Sequence, residues 1–267
     1  MMNYRKSKKG DEVNPMLLMV SVQDLKEAQE SVQGGADIVD VKDLREVTIG
    51  SNVPSVIKEV RDYVPQEMHV SVTLGVVPNQ PGTIAMAVYG AACLKASSIK
   101  VGFLNTDYDT ALTILKECRR ALKGFESKLI AATFADAPLY HGLAPERVVD
   151  LAEKAMCNGI LIDTVTKDGR NLFDFMDEKT LKKVVDKGKS FNMSTALSGS
   201  LKIENFDELS RINPHIVGVR GAVCTNQNRE NGRVEASAVK KVKDEIEKRV
   251  GVERNPICKS LSIYASV

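Results

Sequence analysis

The stretch GGADIVDVKD, residues 34–43, holds the end of one element and the whole of the next. Gly34 and Gly35 close a helical pattern, as glycine does at helix C-termini. Ile38, Val39 and Val41 then form a short β-branched run of the kind found in strands covered on both faces. Asp40 and Lys42 interrupt it. Residues two apart on a strand share a face, so a carboxylate and an ammonium group point together where an apolar core belongs. A fold whose strands end in a polar pocket resolves the conflict.

The same strand-then-helix unit recurs on both sides of this stretch. Strands are expected at 16–21, 37–42, 68–74, 97–103, 127–134, 159–163, 192–198 and 215–223. Helices are expected at 22–35, 51–64, 81–96, 106–122, 144–159, 177–191, 203–212 and 236–250. Alternation of this kind specifies a parallel sheet. Eight units in roughly 235 residues favour closure into a (β/α)8 TIM barrel over an open doubly wound sheet. No GxGxxG or GxxxxGK[ST] loop is present, which weakens a dinucleotide- or P-loop-binding reading. The expected organisation is a single α/β barrel domain over residues 16–250, with a flexible extension at 1–15 and a tail at 251–267.

Composition narrows the function. The chain has 267 residues, 43% of them hydrophobic, which suffices for a barrel core. Its net charge of +2 comes without a separate lysine-rich arm, and Trp is absent. Nucleic acid, which calls for a clustered basic face, is therefore not an expected partner. Cys93, Cys118, Cys157, Cys224 and Cys258 form no CxxC pair, and His69, His141 and His215 form no HxH or HxxxH pair. They read as scattered reduced thiols and ordinary histidines, so neither a metal site nor any other cofactor is expected. No apolar run reaches membrane-spanning length. A cytoplasmic protein is expected, with a homo-oligomer left open.

Catalytic groups in such barrels lie at the C-terminal ends of several strands. Strand 2 ends in Asp40 and Lys42, strand 4 carries Lys100 within SSIKVGF, strand 5 runs into Asp136, and strand 6 ends in DTVTK with Asp163 and Lys167. Each lysine alone has an ordinary reading, with its stem on the core and its head in water, and for the loop residue Lys167 that reading is the stronger. A closed barrel has no sheet edge, however, and Lys100 lies between Ile99 and Val101. Unpaired burial of these charges would be costly; one shared polar pocket accounts for them together. Clustered lysines suit covalent carbonyl chemistry. An ordinary lysine, with a pKa of about 10.4, is neutral in only roughly one molecule in 2,500 at pH 7. Burial and neighbouring ammonium groups raise that fraction, and a neutral amine forms a Schiff base that stabilises an enamine.

The opposite side of the mouth reads as an anion site. Strand 7 ends in LSGS, with Ser198, Gly199 and Ser200, and strand 8 runs into GVRGAV, with Gly218, Arg220 and Gly221. Loops after strands 7 and 8 commonly hold phosphate in this fold; the alternative is that the glycines only make tight turns. From the residues alone, the chain reads as a Schiff-base enzyme acting on a small phosphorylated carbonyl compound.

GGADIVDVKD, SSIKVGF, IDTVTKDGRNLFDF, LSGSL and VGVRGAVC, in this order over residues 16–248, resemble the family of (5-formylfuran-3-yl)methyl phosphate synthases. The resemblance implies a lyase-type TIM-barrel synthase that joins two glyceraldehyde 3-phosphates, with loss of phosphate and water, on the route to methanofuran. It assigns the Schiff-base lysine to Lys42 with Asp40 beside it, the proton-accepting lysine to Lys100, and assisting roles to Asp163 and Lys167. Two segments depart from the family pattern. Asp43 to Asn52 replaces a loop carrying Pro and Gly, and TNQNRENGR (225–233) is more polar than the glycine-rich family version. Another class I aldolase acting on a different small phosphorylated aldehyde or ketone uses the same lysines, and a non-catalytic phosphometabolite-binding barrel is a further alternative. A sugar-phosphate decarboxylase with a DxK pair is disfavoured by Arg45, where such enzymes usually carry an aspartate.

Overall fold

The computed structural model describes residues 16–44 and 50–250. The extension read at 1–15, the tail at 251–267 and residues 45–49 of the segment after Lys42 lie outside the described residues. Eight parallel strands close in sequence order into a barrel. They are β1 (Leu17–Val22), β2 (Ile38–Val41), β3 (His69–Val76), β4 (Ser98–Gly102), β5 (Lys128–Phe134), β6 (Gly159–Asp163), β7 (Ser194–Leu197) and β8 (Ile216–Val219). The principal helices are α1 (Leu25–Gln33), α2 (Pro54–Tyr63), α3 (Pro81–Cys93), α4 (Tyr108–Ala121), α5 (Val148–Lys154), α6 (Glu178–Ser190), α7 (Phe206–Ile212) and α8 (Ala236–Val250). The architecture is the expected (β/α)8 barrel. No helix among the described residues is long and apolar enough to cross a membrane.

Local chemistry sets the element boundaries. Asp24, Asp107 and Asp177 cap α1, α4 and α6, each side chain accepting a backbone N–H of the first turn; such caps satisfy donors that have no intrahelical partner. Pro54 and Pro81 open α2 and α3, where the missing N–H costs nothing. The fifth helix is shorter than expected from 144–159, because Pro145–Arg147 forms a 3-10 turn before it.

The main hydrophobic core lies between the strands and the ring of helices. Val39 and Val41 of β2, Ile99 and Val101 of β4, and Ile160 and Ile162 of β6 belong to it and are almost wholly buried. The alternate residues face the barrel axis, where apolar packing is much thinner: Ile130, Ala132, Leu161 and Ala196 form a small separate cluster. At Gly218 of β8, a Cβ would stand 2.7 Å from the Met19 methyl carbon, so a side chain there would clash with Met19. Small axial residues leave room inside the barrel for long polar ones.

Candidate active site

Register places the polar residues. Ser21 of β1, Asp40 of β2 and Ser71 of β3 lie level across neighbouring strands, and Thr73 pairs with Lys100 of β4. Asp40 is fully buried. One of its oxygens accepts from Lys100 Nζ at 2.7 Å and from the Thr73 hydroxyl at 3.0 Å. The other accepts from the Ser21 hydroxyl at 3.2 Å and stands 4.0 Å from Lys42 Nζ. The carboxylate thus holds two ammonium groups and two hydroxyls, which offsets the cost of burying its charge. Lys42 is 6% exposed and Lys100 5%.

A cavity of about 370 Å³, continuous with solvent, opens over these groups and is lined by Asp40, Lys42, Thr73, Lys100, Asp163 and Ser198 among others. Burial pushes the Lys42 pKa down to about 8, helped by Lys100 and Arg229 and opposed by Asp40 and Asp163. At pH 7 roughly one Lys42 in ten is then neutral, against one in 2,500 for an ordinary lysine. Asp163 is in the opposite position. Burial alone would raise its pKa, but Lys167, Lys42, the Thr164 N–H and Arg229 hold it well below the usual carboxylate range. It remains an anion and an acceptor.

Lys42, Lys100, Asp40 and Asp163 line the same cavity. Lys167 stands one step back: its Nζ donates to Asp163 at 3.3 Å and to the carbonyl and hydroxyl oxygens of Thr164 at 2.7 and 3.1 Å. Its side chain is 11% exposed, so the solvated loop lysine of the ordinary reading is not what forms. Asp136 does not join the cluster. Its two oxygens accept the N–H groups of Val165 and Thr166 and fix the loop after β6.

The residues read as an anion site have separate fates. Ser198 lines the cavity and donates to the Gly218 carbonyl at 3.1 Å. Gly199, at φ 116°, packs against Thr164, while its carbonyl accepts the Leu172 N–H; Ser200 follows at φ 51°. Gly221 faces the Arg229 side chain. Arg220 is the correction. Its guanidinium forks onto Glu27 of α1 at 2.7 and 3.1 Å and also donates to the carbonyls of Ser21 and Arg229. Four of its five N–H donors are thereby used inside the protein, so it ties β8 to β1 and α1 and is not a fork aimed at an anion.

Three contributors went unread in the sequence. Glu27 follows Asp24 by three residues and reads only as part of a helix-capping pattern. Asn52 is 6% exposed and donates to the carbonyls of Gln23 and Lys42, fixing the end of β2. Arg229, in the loop after β8, acts electrostatically on both Lys42 and Asp163, and only tertiary contact brings it there. Among the described residues, no group of three or more His, Cys, Asp or Glu side chains is arranged to hold a metal ion.

Comparison with known proteins bears on the family. A (5-formylfuran-3-yl)methyl phosphate synthase of Methanococcus maripaludis is 43% identical over 230 residues, covering 85% of this chain and 98% of the relative. The synthase of the same name from Methanocaldococcus jannaschii is 41% identical over 232 residues, covering 86% and 99%. Among solved structures, the putative copper homeostasis protein CutC of Streptococcus agalactiae superposes with a TM-score of 0.60 at 16% identity, over 77% of this chain and 99% of that one; at that identity the likeness concerns the fold alone. The family model described as 4-HFC-P synthase matches residues 18–243, and the chain belongs to that family.

Proposed function

We propose that this protein condenses two molecules of glyceraldehyde 3-phosphate into (5-formylfuran-3-yl)methyl phosphate through a Schiff base on Lys42, as a lyase-type step toward methanofuran. The balance is two triose phosphates to one furan phosphate, one inorganic phosphate and two waters. The observation that carries the reading is Lys42 itself: a buried amine with its pKa near 8, facing a solvent-connected cavity, in a chain of this family.

Neutral Lys42 attacks the carbonyl of the first triose phosphate, and loss of water gives an imine. The imine withdraws electrons from the adjacent carbon, whose proton leaves to form an enamine. The Lys100–Asp40 ion pair, 2.7 Å across, lies beside Lys42 and relays that proton. The enamine carbon then attacks the aldehyde of the second molecule, and the new alkoxide takes a proton from the site. Asp163, kept anionic, and Lys167, hydrogen-bonded to it, assist the later proton transfers and the departure of phosphate. Ser198 and the Gly199–Ser200 turn flank the side where a substrate phosphate fits this scheme.

The test is borohydride reduction in the presence of glyceraldehyde 3-phosphate, followed by peptide mapping. A triose-phosphate mass on Lys42, absent in Lys42→Ala, together with a product absorbing in the near ultraviolet, is expected. An adduct that persists in Lys42→Ala removes the assignment, and an adduct with only an aldol product transfers the reading to another class I aldolase.

A further inference from the structure

The barrel is hollow at both ends. Met19 and Lys100 touch across the axis, with Nζ 3.6 Å from the sulfur, and they line the catalytic cavity on one side. On their other side, toward the strand N-termini, lies a second cavity of about 1260 Å³, which includes space open to solvent. Bulky branched side chains dominate the interior layers of barrels of this type. Here His69, Ser71 and Ser98 occupy neighbouring positions, and the space between them and β7 and β8 is not filled.

The wall has two characters. Ile38, Ile130 and Ile216 supply apolar surface. Lys128 and Lys189 also line it, the Lys189 ammonium group donating to the Asn213 carbonyl, and among the described residues no Asp or Glu lines this cavity. Ser71 also lines it, is 2% exposed, and its hydroxyl has no hydrogen-bond partner; burying a polar group in that state is unfavourable. His215 accepts the Thr195 N–H at Nδ1, 3.1 Å away, which places its ring proton on Nε2 as a donor. Burial holds its pKa down to about 4, so it stays neutral at physiological pH.

We propose that this lower cavity is a second ligand site, built for a small organic anion whose apolar body lies on the isoleucines and whose charge pairs with Lys128 and Lys189. The unsatisfied Ser71 hydroxyl supplies a hydrogen bond to the buried part of that ligand. Triose phosphate is a poor match, since it has no apolar body. A ligand here rests against the same Met19 and Lys100 that form the floor of the catalytic cavity. The site stands on its own geometry and does not depend on the Schiff-base chemistry.

The probe is 8-anilinonaphthalene-1-sulfonate, an anion with an apolar ring system, titrated by fluorescence into the full chain. One saturable site per chain is expected, undisturbed by excess glyceraldehyde 3-phosphate. Lys189→Glu and Lys128→Glu are each expected to weaken it by about tenfold, with unchanged circular dichroism. Ala196→Phe, which fills the cavity from β7, is expected to abolish it. Because that variant perturbs the inner packing, the two charge reversals on the rim carry the test if it folds poorly. Full affinity in the Lys128→Glu, Lys189→Glu double variant, displacement by triose phosphate, or no saturable binding overturns the proposal.

Discussion

Replacing Asp40 by Asn separates imine formation from turnover. Asp40 stands 4.0 Å from Lys42 Nζ. Unit charges at that distance attract by about 4 kcal/mol at an effective dielectric of ~20, equivalent to about three pH units in the lysine's titration. The full amount will not appear. The cavity beside Lys42 is open to solvent, which screens the pair. Asp40 attracts Lys42 more strongly than Lys100 repels it, so the net movement is downward, by at least about one pH unit. In the wild type, the rate of imine formation rises about tenfold per pH unit up to about pH 8 and then levels. In Asp40→Asn that limb moves to about pH 7 or lower, while furan formation falls by about a hundredfold because the proton relay is broken. The assay is rapid-quench trapping with cyanoborohydride from about pH 6 to about pH 10, with product followed separately. A limb that stays in place or moves to higher pH would refute the electrostatic account of Lys42.

Lys100→Met should act with the opposite sign. It removes an ammonium group that lowers the Lys42 pKa, so the trapping limb moves above pH 8 and turnover falls, read from the same pH series. Glu27→Gln leaves the Arg220 guanidinium buried without its carboxylate; the loss is about 3–5 kcal/mol of unfolding free energy by urea denaturation, with little change expected in the pH dependence of trapping. Gly199→Ala forces a side chain into a left-handed conformation at φ 116° with its Cβ 2.8 Å from Thr164; a cost of about 1–3 kcal/mol in the same measurement is expected. Acid sensitivity follows from His69 and His215, both held from 6.5 down to about 4 by burial. Their stabilising contribution is whole above about pH 6.5 and is lost as pH falls through about 4, because the unfolded chain binds the extra protons first. Thermal melts between those pH values should show a falling midpoint, with a smaller fall when either histidine is replaced by Gln.

The barrel was legible because its signal is local and repeated. The β-branched runs and the Gly34-Gly35 stop each act over a few residues, and eight repetitions of one unit leave few topologies. The same period-2 rule put Asp40 and Lys42 on one face of β2, and it also put Lys100 on the inward face of β4. A charge embedded in an apolar strand is visible in any sequence, because its burial demands a partner.

The identity of those partners belonged to the folded molecule. Register set Asp40 level with Ser21 and beside Thr73 and Lys100, and so made one carboxylate the hub for two amines. Arg220 was legible as a charge in a glycine-rich loop, yet Glu27, 193 positions away in the chain, captures it. Lys167 was legible as a candidate site residue whose place in a loop favoured a solvated side chain, and Asp163 and Thr164 fold around its ammonium group. Sequence by itself determined which side chains face the barrel axis, since strand periodicity is a property of the backbone. Only the tertiary structure decided which charges meet, because Coulomb energy depends on distances across the barrel that no interval along the chain encodes.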